Sequence, residues 1–306
     1  MKSVLILGGS GYIGSEACRQ FSCSGYKVIN IDKKDQVHKY AEFYQYDLTA
    51  SPIDPLIRLN QVLSGTELVG TVCFAAYKNL PESFIISFDY YYNNLFVLLN
   101  GLKLSRYLGS KKFVFSSSAS VYSNKLVGPA DEESETSGES PYGYTKLVGE
   151  RLVLDTCKQF NIIGINLRYF NLIGKTEVSE DNSDSLFGSI KKCLDGGSTA
   201  KIFGCHYPTR DGTCIRDYID IRDLVDAHKF ALNEITNSGT YNVGNGKGVS
   251  VLEVMRIVQK IYPKFNYEFT DPRFGDIITS YADTTKINKL GWHSKYSLED
   301  SIKTLL

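Results

Sequence analysis

Short, wholly apolar runs alternate along the first half of the chain with longer stretches in which apolar positions recur at helical spacing. "SVLIL" precedes an amphipathic stretch over residues 12–23, and "KVINID" follows it. "LVGTVCFAA" precedes residues 84–107, "KKFVFSSS" precedes residues 141–160, and "IIGINLRYF" closes the series. Strands apolar at nearly every position are covered on both faces, and helices between them make the sheet parallel. The pattern predicts an α/β protein: a doubly wound parallel sheet of the Rossmann type with a second, smaller α/β lobe for substrate. After about residue 170 the rhythm becomes irregular and the elements shorter. The expected division is 1–170 for the first lobe, with a returning segment near 217–240 that contains the helical "DIRDLVDAHKFALNEI", and 171–306 for the second.

Composition adds exclusions. Over 306 residues, 34 Lys+Arg balance 34 Asp+Glu, which gives no reason to expect nucleic acid or an anionic membrane as partner. An anionic ligand must therefore find a local arginine cluster. No apolar stretch approaches the roughly 20 residues that cross a bilayer, and "MKSVLILGGSG" reads as a first strand rather than a leader. The seven cysteines are scattered, without Cys-x-x-Cys. They are expected to be reduced thiols of a cytoplasmic protein, and no metal site is expected.

Two stretches carry chemistry. In "LILGGSGYIGSEA", Gly8, Gly11 and Gly14 lie three apart, and Gly9, Gly11 and Gly14 also satisfy G-x-G-x-x-G. The motif follows a strand and opens a helix, as its mechanism requires: the backbone turns tightly and a pyrophosphate sits at the helix N-terminus. Asp32 ends the second apolar run, where a carboxylate accepts hydrogen bonds from a ribose 2′-hydroxyl, so NAD is expected over NADP. Lys33 and Lys34 weigh the other way. Asp47 in "YQYDLTA" is expected to close the adenine pocket.

The second stretch is "SESPYGYTKLVGERL". Residues four apart share a helix face, so Lys146 meets Tyr142 and not Tyr144. Ser140 and Pro141 supply a cap and a first helical residue. An ammonium beside a phenol favours the phenolate, and Tyr142 is expected to have its pKa lowered toward neutrality as an acid/base.

Together with "FAAYKNLPES", "FVFSSSASVY", "LRYFN", "DGTCIRDYI" and "RFGDIITSYAD", these stretches resemble the extended short-chain dehydrogenase/reductases, and within them the UDP-glucose (UDP-galactose) 4-epimerases. The resemblance covers nearly the whole chain. It implies a catalytic trio of Ser118, Tyr142 and Lys146, with Lys146 also holding the nicotinamide ribose. It implies NAD contacts at Gly8, Gly11, Tyr12, Ile13 and Gly14, at Asp32, Asp47 and Leu48, at Phe74, Ala75, Lys78 and Asn94, and at Ser116 and Tyr169. For the UDP-sugar it implies Ser118, Tyr142, Asn171, Leu186, Phe203, Arg216, Tyr218, Arg273, Asp276 and Ser280. Ser185 stands where an asparagine is common. The forked donors of Arg216 and Arg273 suit a diphosphate.

The reaction so implied is epimerisation at C4 of UDP-glucose and UDP-galactose by transient oxidation. Related dehydratases carry Asp-Glu directly after the catalytic hydroxyl, and related decarboxylases carry Glu two residues after it. Here those positions are Ala119 and Ser120, which cannot protonate a leaving group. A small Ser280 before Tyr281 implies room for N-acetylated sugars. Family members often pair their helices into a four-helix dimer contact, and residues 84–107 and 141–158, apolar on more than one face, imply a homodimer.

Overall fold

The computed structural model describes residues 1–34, 39–50, 59–178, 185–273 and 276–306. In chain order the first half holds β1 (Lys2–Leu7), α1 (Tyr12–Cys23), β2 (Lys27–Asp32), β3 (Glu42–Gln45), α2 (Leu59–Leu63), β4 (Glu67–Cys73), α3 (Leu80–Ile85), α4 (Ser87–Tyr107), β5 (Lys112–Ser116), β6 (Pro129–Ala130), α5 (Pro141–Phe160) and β7 (Ile163–Tyr169). The second holds β8 (Asn171–Ile173), α6 (Leu186–Gly196), β9 (Ala200–Phe203), β10 (Ile215–Arg216), β11 (Tyr218–Asp220), α7 (Ile221–Glu234), β12 (Gly239–Val243), β13 (Val249–Ser250), α8 (Val251–Ile261), β14 (Tyr267–Thr270), β15 (Thr279–Ala282), α9 (Thr285–Asn288) and α10 (Leu298–Leu305).

A seven-stranded sheet runs β12-β7-β5-β4-β1-β2-β3, with every pairing parallel. Alternation along β1 shows why its strand is apolar throughout. Val4 and Ile6 pack on Ala17 and Phe21 of α1 and Leu224 and Ala231 of α7, while Leu5 and Leu7 pack on Leu98 and Leu102 of α4 and Val153 of α5. Strand order reverses direction about β1 and β4, and a ligand crevice opens outside the carboxyl ends of such strands.

The structure departs from the expected elements in two places. The helical stretch predicted over 84–107 is broken at Ile86 (φ −119°, ψ 50°), with α3 capped by Asn79 and led by Pro81. The buried Tyr90 hydroxyl lies 2.7 Å from both the Asn79 carbonyl and Glu82 Oε2, which fixes α3 against α4 across the break. The returning segment also reaches further than residue 240. After α7, β12 completes the edge of the large sheet beside β7, and Ile287 and Trp292 join the same core.

A separate core gathers α6, α8 and α10 around Ile190, Ile202, Met255, Val258 and Ile302. The remaining strands form small sheets, β13-β10-β15-β6, β11-β8 and β14-β9.

Candidate active site

The glycine loop fits a dinucleotide pyrophosphate. Gly8 has φ +87°, which favours glycine, and a Cβ there would lie 2.6 Å from the Ala75 nitrogen. A Cβ on Gly14 would lie 2.1 Å from the Gly8 carbonyl oxygen, whereas one on Gly11 would meet only that oxygen, at 3.4 Å. The loop is thus packed below and open above. The α1 N-terminus has no side-chain cap and no acidic residue in its first turn, so its amides are offered to an anion.

Asp32 stands at the end of β2, accepting from the Ser10 amide at 3.0 Å and the Lys34 amide at 2.9 Å, with lone pairs left for a ribose. Lys33 is turned toward Tyr77 and Asn93. The Tyr12 hydroxyl donates to the Gly174 carbonyl at 2.6 Å, and Ile13 packs beneath against the sheet core. Asp47 accepts from the Thr49 amide and hydroxyl, while the Leu48 side chain is buried in the core.

Beyond β4, the Phe74 ring lies 4.7 Å from that of His228, and the Ala75 amide donates to the Leu7 carbonyl at 3.0 Å. Asn94 accepts from the Tyr77 amide at 2.8 Å and donates to Thr145 at 3.0 Å, tying the loop that carries Lys78 to α5. Lys78 Nζ lies 5.6 Å from the Tyr12 ring centroid. Tyr169 ends β7, half-buried against the same core as Ile13.

Ser140 caps α5 by accepting from the Gly143 amide at 3.0 Å, and Pro141 leads the helix. Tyr142 and Lys146 then fall on the buried face, while Tyr144 is exposed. Gly143 brings the halves of the site together: a Cβ there would lie 2.3 Å from the Ser120 carbonyl oxygen. Sequence reasoning passed over it, although a glycine in the first turn of a helix signals close approach. Its absence of side chain lets α5 approach the turn Ala119–Val121, which Ser118 begins.

Ser118 hydrogen-bonds the Tyr142 phenol, and the Lys146 ammonium donates to the Ser116 carbonyl at 2.8 Å while lying 5.8 Å from the Tyr142 ring centroid. Burial pushes the phenol above its ordinary value and the Ser118 bond opposes that rise. The lowering anticipated from Lys146 is not among the influences on the phenol. Burial also lowers Lys146 itself to about 8, against the pull of nearby negative groups. The Ser116 hydroxyl faces the other way, 3.4 Å from His228 Nε2.

The other expected contacts cluster on the small sheets. Arg216 stands opposite Ser280 in the β10–β15 pairing, and Tyr218 opposite Asn171 in β11–β8. Asp217 lies between them, fully buried, and was not anticipated. Its amide donates to the Ser280 carbonyl at 3.0 Å, its carbonyl accepts from the Asn171 amide at 3.0 Å, and its carboxylate accepts from the amides of Asn245, Gly246 and Ala282. The Arg273 guanidinium stacks 3.6 Å from the Phe203 ring centroid. Burial and Asp276 push the Tyr207 phenol up while Arg216 pulls it down, which puts all three in one neighbourhood. Ser185 caps α6, accepting from the Gly188 amide at 3.0 Å, and Leu186 opens that helix.

A glycine cradle, a carboxylate at the end of β2 and a buried Ser-Tyr-Lys set are the features of a nucleotide-dependent enzyme of the extended dehydrogenase class. The chain matches the model of the NAD dependent epimerase/dehydratase family over residues 4–244 and belongs to that family. It is 36% identical to the UDP-glucose 4-epimerase of Bacillus subtilis across 97% of this chain and 94% of that protein. The crystal structure of UDP-glucose-4-epimerase from Stenotrophomonas maltophila with bound NAD and formylated UDP-arabinopyranose superposes with a TM-score of 0.89 at 31% identity, covering 99% of this chain and 96% of that one. The UDP-Glc/GlcNAc 4-epimerase of Campylobacter jejuni superposes with a TM-score of 0.83 at 29% identity, covering 99% and 97%. Among the described residues no helix is long and apolar enough to cross a membrane.

Proposed function

We propose that the chain is an NAD-dependent UDP-hexose 4-epimerase interconverting UDP-glucose and UDP-galactose. The supporting observation is the buried convergence of Ser118, Tyr142 and Lys146 beside a glycine loop that accepts a pyrophosphate. Bound NAD supplies a ring that takes up a hydride and returns it. Tyr142 removes the proton from the sugar 4-hydroxyl and later restores one, with Ser118 relaying between phenol and sugar. Lys146 must be an ammonium to favour the phenolate, and the nicotinamide's positive charge acts in the same sense. The first lobe, 1–170 with its returning segment, holds NAD, and 171–306 holds the UDP-sugar. There Arg216 and Arg273 take the diphosphate side, with Asn171, Ser185, Leu186, Phe203, Tyr218 and Asp276 around the nucleotide.

Ser280, small and opposite Arg216, supports acceptance of UDP-GlcNAc and UDP-GalNAc as well. Incubation with UDP-galactose and UDP-GalNAc separately, without added cofactor, tests both levels: each should yield its 4-epimer. A product lacking the 6-hydroxyl, or no product, overturns the reading.

The functional unit is a homodimer. Phe84, Ile85 and Phe88 are exposed beside Tyr92, Phe96 and Leu99 on α4, an apolar stripe suited to a second copy. Sedimentation giving only monomer overturns that assignment. All seven cysteines are unpaired, which supports a reducing cytoplasmic setting.

A further inference from the structure

Behind the trio lies a buried ion pair that the proton transfer as described does not use. We propose that Glu150, paired with Arg168, is a positioning residue for that transfer: its carboxylate anchors the Ser116–Ser118 segment through Ser117 and sets the field in which Lys146 works. The proposal rests on assigning the acid/base role to Tyr142.

The geometry runs through three elements. Glu150 follows Lys146 by one helical turn on α5, so both side chains share a face. The Ser117 hydroxyl donates to Glu150 Oε1 at 2.5 Å. On one side of Ser117, the Ser116 carbonyl accepts from Lys146; on the other, Ser118 meets Tyr142. A single carboxylate therefore holds the residue between the two that touch the reacting pair. From β7, Arg168 grips both oxygens of Glu150, with Nε at 2.8 Å and Nη2 at 2.7 Å. Its Nη1 donates to the Glu132 carbonyl, and its guanidinium lies 4.8 Å from the Tyr122 ring centroid.

Both partners are nearly sealed, with side-chain exposures of 7% for Arg168 and 6% for Glu150. Burial alone would lower Arg168, and Glu150 more than reverses that. A buried pair of this kind is weak evidence for stability, since apolar replacements often serve as well. Its placement one turn from the essential lysine gives it a different use.

The groups around Lys146 single out Glu150 as the anion. Cys73 faces it from β4, but burial pushes that thiol to about 11, so it is uncharged where Lys146 titrates near 8. Phe115 of β5 contributes only its ring face, 4.8 Å away. Tyr142 shares the helix and raises the phenol of Tyr90 on α4, which burial and Glu82 of α3 raise more strongly. His228 of α7, beyond Ser116, is held neutral by burial, at about 4.

Full-length Glu150→Gln, Arg168→Gln and Ser117→Ala, with Tyr142→Phe alongside, are assayed for kcat and KM on UDP-galactose across pH. The alkaline limb of kcat follows loss of the Lys146 proton. Removing the anion should move that limb down by about one pH unit in Glu150→Gln; unpairing it should move the limb up in Arg168→Gln. Ser117→Ala should lower kcat about fivefold with KM within about twofold of the parent and the limb unmoved. A merely structural pair would not move the limbs in opposite directions. Limbs that stay put or move together overturn the inference, as does a Ser117→Ala variant with the parental kcat. Should a charge variant fail to fold, Ser117→Ala decides alone. An active Tyr142→Phe overturns the acid/base assignment; an inactive one beside unaffected Glu150 and Ser117 variants overturns only the positioning role.

Discussion

The two sides of the cleft are built differently. Tyr142 and Lys146 are buried on a 20-residue helix that packs on the large sheet, whereas Arg216 and Ser280 sit half-exposed on strands of two and four residues. The long elements fix side-chain positions that proton transfer requires to a fraction of an ångström. The short strands are held by Asp217 and a few backbone hydrogen bonds. On the function proposed above, chemistry is rooted in the core and selectivity in the periphery.

Tyr142→Phe should break the comparison most severely, lowering kcat by about 10²- to 10⁴-fold without loss of fold, as rates and circular dichroism will show. Arg216→Met removes forked donors from the peripheral side. Its expected mark is a KM for UDP-galactose raised about tenfold or more with a smaller change in kcat. Should kcat fall as far as in Tyr142→Phe, the two sides are not separable.

Ser280→Tyr narrows the pocket and should abolish turnover of UDP-GalNAc while sparing UDP-galactose within a few-fold; equal losses on both sugars count against a gate. The smallest effect concerns stability. Burial raises Asp217 to about 6, above its unfolded value near 3.8, so the folded chain binds the extra proton between these values. Stability contributed by the protonated form is full below about 4 and lost as pH rises to about 6. Asp217→Asn should flatten that slope in denaturant titrations.

Much of the core side was legible. Wholly apolar runs marked β1, β2, β4, β5 and β7, and the four-residue spacing selected Tyr142 over Tyr144. β12 was missed because "GTYNV" is brief and has no long apolar stretch around it. The two- to four-residue strands of the periphery carry too few positions for a period to register. The Glu150–Arg168 pair joins a helix to a strand across 18 residues, which no local spacing reveals. Its one trace in the sequence is a charged residue inside the apolar "IIGINLRYF".

β6 comes from the first half yet borders β15, with Tyr281 beside Pro129 and the Asp283 amide donating to the Ala130 carbonyl at 2.7 Å. A chimera that imports a relative's C-terminal half to acquire its sugar preference would therefore put foreign residues next to a native Pro129–Ala130. Successful transplants should be those that also bring the relative's counterparts of Pro129 and Ala130 with the graft, whatever the crossover point chosen near residue 170.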